Sequence, residues 1–275
     1  MRRQVPWSAA GAAGAAAMAV AVALTSVVAF SADGDERAER PVATGPTTST
    51  STAPALSTPC RIGGPTGDRF LGTDQAKLLS TAAATAVRKK SPRARLAARV
   101  AVTLDASPAD AAHLARTLLG AGPAQRLSCR VFRDKVDPET MGRSGLTPRA
   151  DRLRRAWSRQ FGPLPAGGFA TGGVSSGHVD DSSHYDGRAV DVFFRPVGDA
   201  AQARRGWVFA QWVAAHADDF DVLSVIYADH IWTSWASTSG WRDYTHPSGS
   251  STNAVLRHLD HVHVAVESGR PYRSR

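Results

Sequence analysis

The sequence predicts an α+β fold, a small antiparallel sheet flanked by helices and preceded by a small helical module. Three short runs have the composition of strands: GRAVDVFF at 187–194, VLSVIYADHIW at 222–232 and HVHVAV at 261–266. Helical periodicity lies between them, as in the run at 203–217. With 275 residues and 43% hydrophobic content, the chain can bury a core.

The N-terminus has the pattern of an export signal. Arg2 and Arg3 precede an uncharged stretch from Ser8 to Phe30 that is rich in Ala and Val. This predicts either a cleaved signal peptide or an N-terminal membrane anchor within residues 1–32. Both alternatives place the rest of the chain in the cell envelope or outside the cell. Residues 33–58 are charged at first and then rich in Pro, Thr and Ser, which predicts a disordered linker.

Residues 59–144 are expected to form a basic, mostly helical module. Thr73 and Ser91 are candidate N-caps, and Ser107 followed by Pro108 repeats this start signal. A glycan hydrolase needs a general-acid carboxylate. No Glu lies between Glu39 and Glu139, which argues against this activity and favours a supporting or positioning role.

Residues 145–268 are predicted to form the main domain, followed by a basic tail at 269–275. A helix is expected after Thr147, with Leu153, Trp157 and Phe161 at helical spacing. A Gly-rich loop then leads into the first strand. The order of elements is mixed, with more strands than helices, which is typical of an α+β domain.

The two cysteines, Cys60 and Cys129, are predicted to form one disulfide, because an isolated pair in an exported protein usually does so. Two free buried thiols are the alternative. Neither residue belongs to a CxxC pair, so a cysteine zinc site is not expected.

The net charge of +9 is unevenly distributed along the chain. From residue 145 onward 14 Arg balance 13 acidic residues, so the surplus belongs to the first half. A basic surface favours an anionic wall polymer or a membrane surface as partner, although a solvated basic face explains the charge equally well. No nucleic-acid partner is expected, because the second half is nearly neutral. The protein is expected to be a monomer.

Two clusters of residues carry the pattern of a metal site. His184 and Asp191 lie at the start of the first strand, and His261 and His263 alternate in the last one. Two histidines and a carboxylate suffice for a catalytic zinc, which keeps a further position for water. If the two strands are neighbours, His184, Asp191 and His263 can converge on one Zn²⁺ ion.

Hydrolysis needs a general base within reach of the attacking water. Asp260 is the candidate base, and His261 is the candidate for stabilising the developing oxyanion. In a regular strand Asp260 would point away from the face that bears His263. A bulge or turn at Leu259 and Asp260 is therefore expected.

Other polar and aromatic residues are less specific. His178, His230, His246 and His258 are interpreted as surface or loop residues, with His178 and His230 at the possible rim of the site. Trp232, Trp235, Trp241 and Tyr244 fit loop or core packing, with a substrate-groove wall as the alternative. Among candidate substrate contacts we include Ser183, Trp241 and Tyr244.

The two clusters together resemble the zinc peptidase superfamily of lysostaphin, D-Ala-D-Ala peptidases and the hedgehog signalling domain. The likeness is closest to the D-alanyl-D-alanine carboxypeptidase branch and related exported bacterial domains, and it covers about residues 145–268. It is carried by Ser183, His184, Gly187, Ala189 and Asp191, then by Asp260, His261 and His263.

This resemblance implies zinc bound by His184, Asp191 and His263, with Asp260 as base and His261 near the oxyanion. It also implies a hedgehog-like or peptidase-like antiparallel sheet and the stem peptides of peptidoglycan as substrate. The carboxypeptidase branch holds its substrate with an upstream Arg or Gln. No single residue of this chain can be assigned to that role, so neither exo- nor endo-specificity follows.

Two functions are therefore expected as alternatives. The first is an exported zinc metallopeptidase that hydrolyses D-Ala type peptide bonds in cell-wall peptidoglycan. The second is a non-catalytic, zinc-stabilised binding module of the cell envelope, which would have no need of a base at Asp260.

Overall fold

The computed structural model describes residues 59–120, 125–131 and 136–269, which all fall within one compact unit. The predicted signal peptide or anchor at 1–32, the linker at 33–58 and all of the basic tail after residue 269 lie outside the described residues. None of the helices in the described ranges is both long and apolar enough to cross a bilayer.

The first part of the unit combines a small sheet with three helices. Strands β1 (Cys60–Gly64) and β2 (Gly67–Leu71) precede α1 (Thr73–Arg88), α2 (Arg93–Leu104) and α3 (Pro108–Leu118). Strand β3 (Ser128–Cys129) then pairs with β1, which gives a sheet of order β2-β1-β3. The start of α3 is as predicted, because the Ser107 side chain accepts a hydrogen bond from the backbone N–H of Asp110.

The second part contains the elements that carry the candidate site. It runs through α4 (Pro148–Phe161), β4 (Ala166–Gly167), β5 (Ala189–Phe193), α5 (Ala200–Ala215), α6 (Ala217–Phe220), β6 (Val222–Tyr227) and β7 (His230–Thr233). A 3₁₀ helix (Ser234–Ser239), β8 (Arg242–Asp243) and β9 (His261–Val266) complete it. The predicted α+β class is confirmed.

The larger sheet has six antiparallel strands in the order β4-β5-β9-β6-β7-β8. Strands β5 and β9 are hydrogen-bonded neighbours although 67 residues of chain separate Phe193 from His261. This pairing brings the two sequence clusters to the middle of one sheet.

Alternation along β5 and β9 separates a core face from a polar face. Val190, Val192, Val262 and Val264 are at most 1% exposed and belong to the hydrophobic core. The side chains between them, including Asp191 and His263, project from the other face. The core face packs against helices, where Phe209 of α5 meets the Trp157 ring edge-on at 5.6 Å.

The hydrophobic core is continuous along the described chain. Leu79 of α1 and Leu114 of α3 belong to the same cluster as Trp157 and Phe209. The buried Gln211 of α5 adds polar links, since its Oε1 accepts from the backbone N–H of Leu127 and its Nε2 donates to carbonyls at the end of α3.

The predicted disulfide between Cys60 and Cys129 is confirmed. Because these residues are paired opposite each other in β1 and β3, their side chains meet without further bending of the chain. Both are almost fully buried, at 1% and 4% exposure. The bond indicates an oxidising, extracellular environment.

Candidate metal centre

Asp191 and His263 face each other across the β5–β9 ladder. The antiparallel register places them directly opposite, and Asp191 Oδ1 lies 3.1 Å from His263 Nδ1. Directly opposed side chains in antiparallel strands have Cβ atoms about 5 Å apart, which suits a carboxylate and an imidazole that share one partner. The pairing of β5 with β9 therefore brings one residue of each sequence cluster into contact.

His184 reaches the same point from the turn before β5. Its Nδ1 lies 2.9 Å from the carbonyl oxygen of Gly168, which can only accept, so Nδ1 carries the proton. In the neutral ring the lone pair is then on Nε2, which faces Asp191 and His263. Gly168 permits this close approach: a Cβ there would lie 2.3 Å from the His184 ring, and its φ is +76°.

The three ligand atoms form a nearly equilateral triangle. His184 Nε2 lies 3.1 Å from His263 Nδ1 and 3.3 Å from Asp191 Oδ1, and the third side is 3.1 Å. Ligands of a tetrahedral zinc ion with bonds of about 2.05 Å would be about 3.3 Å apart. These residues therefore fit the donor set and the spacing of a small divalent cation.

His178 adds another imidazole to the cluster. Its ring stacks on that of His184 with centroids 3.9 Å apart. The Tyr185 hydroxyl fixes its backbone, because it donates to the His178 carbonyl and accepts from the His178 N–H. One ligand atom each from His178, His184 and Asp191 lie within 4.8 Å of one another, so this group could hold a metal ion.

The protonation states suit a cation. Burial alone would raise the pKa of Asp191, but the contacts with the His184 and His263 imidazoles lower it well below its usual range. Burial lowers the pKa of His263 by more than the contact with Asp191 raises it. At neutral pH Asp191 is thus ionised and His263 is neutral, and these are the forms that bind metals.

Asp260 and His261 form a pair beside this triangle. The chain bends at Leu259 and Asp260, as expected, and β9 begins at His261. Asp260 Oδ1 lies 2.7 Å from His261 Nδ1, while His261 Nε2 lies 3.6 Å from Asp191 Oδ1. The candidate base is therefore linked to the centre through the His261 ring.

Arg195 holds the other oxygen of Asp260. Its Nε and Nη2 donate to Asp260 Oδ2 at 2.9 and 2.6 Å, and its guanidinium lies 4.1 Å from the centroid of the Phe193 ring. Burial would raise the pKa of Asp260, but the hydrogen bonds from His261 and Arg195 outweigh it and lower the pKa. Arg195 was not singled out from the sequence, where it is one Arg among 14 in this half.

His258 is a second residue that sequence reasoning did not place at the centre. It is only 9% exposed, and its ring centroid lies 4.7 Å from that of His261 and 5.8 Å from that of His263. Burial, followed by the charges of His263 and His261, lowers its pKa to about 3. His258 lies in a turn, as expected of a loop residue, but its interpretation as a surface residue away from the site is wrong.

The candidate substrate contacts have different positions. Tyr244 packs edge-on against the His258 ring at 5.1 Å and so borders the centre. Trp241 lies in the core, where its Nε1 donates to the Leu127 carbonyl and its ring meets Trp207. This burial leaves no indole face for a groove wall. The Ser183 carbonyl accepts from the Arg188 N–H and closes the turn after His184.

Residues 142–255 match the family model described as the VldE C-terminal domain. The matched range includes His184 and Asp191 and ends before His261 and His263. No curated protein and no solved structure is similar to the chain at a significant level.

Proposed function

We propose that the domain at 145–268 is a zinc-dependent peptidase of the cell envelope, with the peptide bonds of peptidoglycan as substrate. The observation that carries the proposal is the triangle of His184 Nε2, Asp191 Oδ1 and His263 Nδ1, with sides of 3.1 to 3.3 Å. The Asp260–His261 pair beside it supplies the proton-transfer group that hydrolysis needs.

The three triangle residues would hold the zinc ion, and His178 lies close enough to contribute as well. When bound, zinc supplies Lewis acidity toward an amide carbonyl and toward water. The hydrogen bond from His184 Nδ1 to the Gly168 carbonyl supports this role. Metal-binding imidazoles usually donate their second N–H to such an oxygen, which fixes the ring.

The geometry favours His261 as the general base and Asp260 as the residue that orients it, which differs from the roles expected from the sequence. Because the ionised Asp260 accepts from His261 Nδ1, the free lone pair of His261 is at Nε2, on the side of the triangle. His261 Nε2 is placed to take the proton of an attacking water and to return it to the leaving amine. Asp260 orients the ring and stabilises its protonated form, as the carboxylate does in other Asp–His pairs.

The export pattern at the N-terminus and the disulfide support an extracellular substrate. Peptidoglycan stem peptides follow from the family resemblance, and a D-Ala type bond is the proposed point of cleavage. Tyr244 borders the centre and is the best placed of the three candidate substrate contacts.

The test is digestion of purified peptidoglycan, and of a stem pentapeptide ending in D-Ala-D-Ala, by the zinc-loaded protein. Mass spectrometry of the products should show new amino termini or released D-Ala with wild type and none with His184→Ala. His246→Ala is a matched control, because the His246 side chain hydrogen-bonds to nearby Ser248 on an exposed loop, away from the metal centre. Identical product patterns for wild type and His184→Ala would refute the proposal.

One observation favours the second candidate, a non-catalytic zinc-stabilised module. Both oxygens of Asp260 are engaged, Oδ1 by His261 and Oδ2 by Arg195. If the zinc site only stabilises the fold, the melting temperature of the protein should depend on zinc. The substrate should remain intact after long incubation with the same preparation.

A further inference from the structure

A basic cleft lies where α1 and α3 end and α2 and α5 begin. It consists of two adjoining cavities of about 430 and 300 Å³, and both are lined by Val87, Lys90 and Arg205. The proposed zinc site uses none of the residues that line these cavities.

Six cationic side chains surround this basic cleft: Arg88, Lys90, Arg93, Arg116, Arg204 and Arg205. Within the part of the chain that the structure describes, none of the six forms an ion pair with a carboxylate. The sequence agrees, because residues 88–99 contain six cations and no acidic residue. This concentration of positive charge gives the cleft a positive potential that attracts anions.

Helix stability explains only some of these cations. Arg88 and Arg116 lie in the last turns of α1 and α3, where a positive charge is favourable. Arg93 is the first residue of α2, whose first turn has no acidic side chain, and a cation at this end opposes the helix dipole. Arg204 and Arg205 lie near the start of α5 and gain nothing from its dipole. An anion bound between them would offset this cost.

The floor of the cleft is apolar. It is formed by the partly buried Val87, Leu119, Phe161 and Leu164 and by the buried Phe194. A small inorganic anion would need only the cations. An apolar floor beneath a ring of cations fits a ligand with an anionic head and an aliphatic part. The head would then contact the cations, and the aliphatic part would contact the apolar side chains.

The cleft and the metal centre are on opposite faces of the sheet. Asp191 and Phe194 are three residues apart on β5 and its continuation, so alternation directs them to opposite sides. Phe194 is 2% exposed and packs against Phe209 of α5, on the helical side. Binding at the cleft should therefore be independent of the proposed peptidase chemistry.

We propose that the basic cleft binds an anionic lipid, with the phosphate headgroup among the arginines and the first part of the acyl chain on the apolar floor. Such a site would hold the domain against an anionic membrane while the metal centre, on the other face, stays open to substrate.

The test is co-sedimentation of the protein with phosphatidylglycerol vesicles and with phosphatidylcholine vesicles at equal lipid concentration. We expect binding only to the anionic vesicles. The double variant Arg93→Ala with Arg204→Ala should bind about thirtyfold more weakly, at about 1 kcal/mol for each cation near an anionic surface. The control is Arg95→Ala with Arg99→Ala, which removes the same charge from exposed positions outside the cleft. Equal losses in both variants would overturn the cleft as the site.

A second set of ligands tests the apolar floor. Short-chain dihexanoyl phosphatidylglycerol, below its micelle concentration, should bind at least tenfold more tightly than glycerol phosphate. Leu119→Ala should weaken binding of the short-chain lipid and leave the affinity for glycerol phosphate unchanged. Equal affinities for the two ligands, or tighter binding of a soluble poly(glycerol phosphate), would overturn the lipid assignment. Vesicle binding by His263→Ala should equal that of wild type, which separates this proposal from the peptidase proposal.

Discussion

Asp260 Oδ1 lies 2.7 Å from Nδ1 of His261, and this contact fixes which nitrogen of His261 carries the proton. An ionised carboxylate only accepts, so Nδ1 holds the proton and Nε2 presents its lone pair toward Asp191. These two adjacent residues at the start of β9 form the proton-transfer pair of the proposed peptidase, and the bend at Asp260 is what allows its side chain to contact the His261 ring.

The first prediction concerns this pair. Asp260→Asn keeps the size of the side chain but removes the charge that favours the protonated His261 ring. We expect kcat on a stem peptide to fall by about 10²- to 10⁴-fold, the usual contribution of general acid–base catalysis, because His261 then lacks the group that orients it; KM and zinc content should be nearly unchanged. Steady-state kinetics and metal analysis of the same preparation check this. A variant that keeps wild-type kcat would remove Asp260 and His261 from the chemistry.

The second prediction separates the metal ligands from their neighbour. Wild type should contain about one zinc per chain, and His263→Ala should lose it, because one corner of the 3.1 to 3.3 Å triangle is missing. His178→Ala should retain zinc with affinity reduced about 10- to 100-fold, as expected when a supporting group is removed. Metal analysis and competition with a chelator measure both. Equal loss in the two variants would make His178 a full ligand.

The third prediction concerns the buried Arg149, which ties α4 to three other segments. Its Nε donates to Asp221 at 2.8 Å, and its two terminal nitrogens donate to the carbonyls of Glu267 and Asp137. Arg149→Met removes these three hydrogen bonds of a buried guanidinium, so the free energy of unfolding should fall by about 3–5 kcal/mol in urea denaturation.

Arg152 offers a matched control for this prediction. Its side chain is 46% exposed and lies 3.5 and 3.6 Å from carboxylate oxygens of Glu139 and Asp221, partners that Arg149 shares. Arg152→Met should cost less than about 1 kcal/mol, the typical value of an exposed ion pair. Similar losses for both variants would show that burial does not decide the effect.

The fourth prediction concerns the Cys60–Cys129 bond, which joins residues 69 positions apart. Replacing both by Ser removes this constraint from the unfolded chain. The chain-entropy model gives a loss of about 4 kcal/mol in the free energy of unfolding. Reductant should lower the urea midpoint of wild type to that of the double variant and leave the variant itself unchanged. A midpoint of wild type that does not respond to full reduction would contradict it.

The sequence predicted the parts of the fold that depend on local pattern. Strand periodicity located β5 and β9, and the disulfide followed from the cysteine count and the export pattern. The run at 222–232 was predicted as one strand, but the structure divides it into β6 and β7, because the chain turns at Ala228 and Asp229, both with positive φ. Residue type and alternation predicted the meeting of Asp191 and His263 only on the condition that their strands are neighbours, and the β5–β9 pairing meets this condition.

Other features depend on tertiary packing, which a single sequence does not reveal. His258 is buried against His261 because the turn before β9 has a left-handed residue at that position, with φ of +53°. Arg195 reaches Asp260 across 65 residues. For Trp241 the sequence left loop packing, core packing and a groove wall open, and the hydrogen bond of its indole to the Leu127 carbonyl places it in the core.

The last prediction is a pH dependence of stability that is independent of the metal centre. His216 follows α5, where its Nδ1 donates to the Trp212 carbonyl at 2.8 Å and its ring lies 4.5 Å from the Trp212 ring. Burial lowers its pKa from the ordinary value of 6.5, by more than the hydrogen bond and Asp219 raise it. Below pH 6.5 the unfolded chain therefore binds this proton more readily than the folded chain, so stability falls as the pH decreases toward the folded pKa.

His216→Gln keeps a donor for the Trp212 carbonyl and removes the titration. We expect wild type to lose more of its free energy of unfolding than the variant between pH 7.5 and 5.5, because all other histidines are common to both proteins. Urea denaturation at the two pH values measures the difference. If wild type and variant lose the same free energy of unfolding, protonation of another group accounts for the acid sensitivity. The burial of His216 would then not lower its pKa.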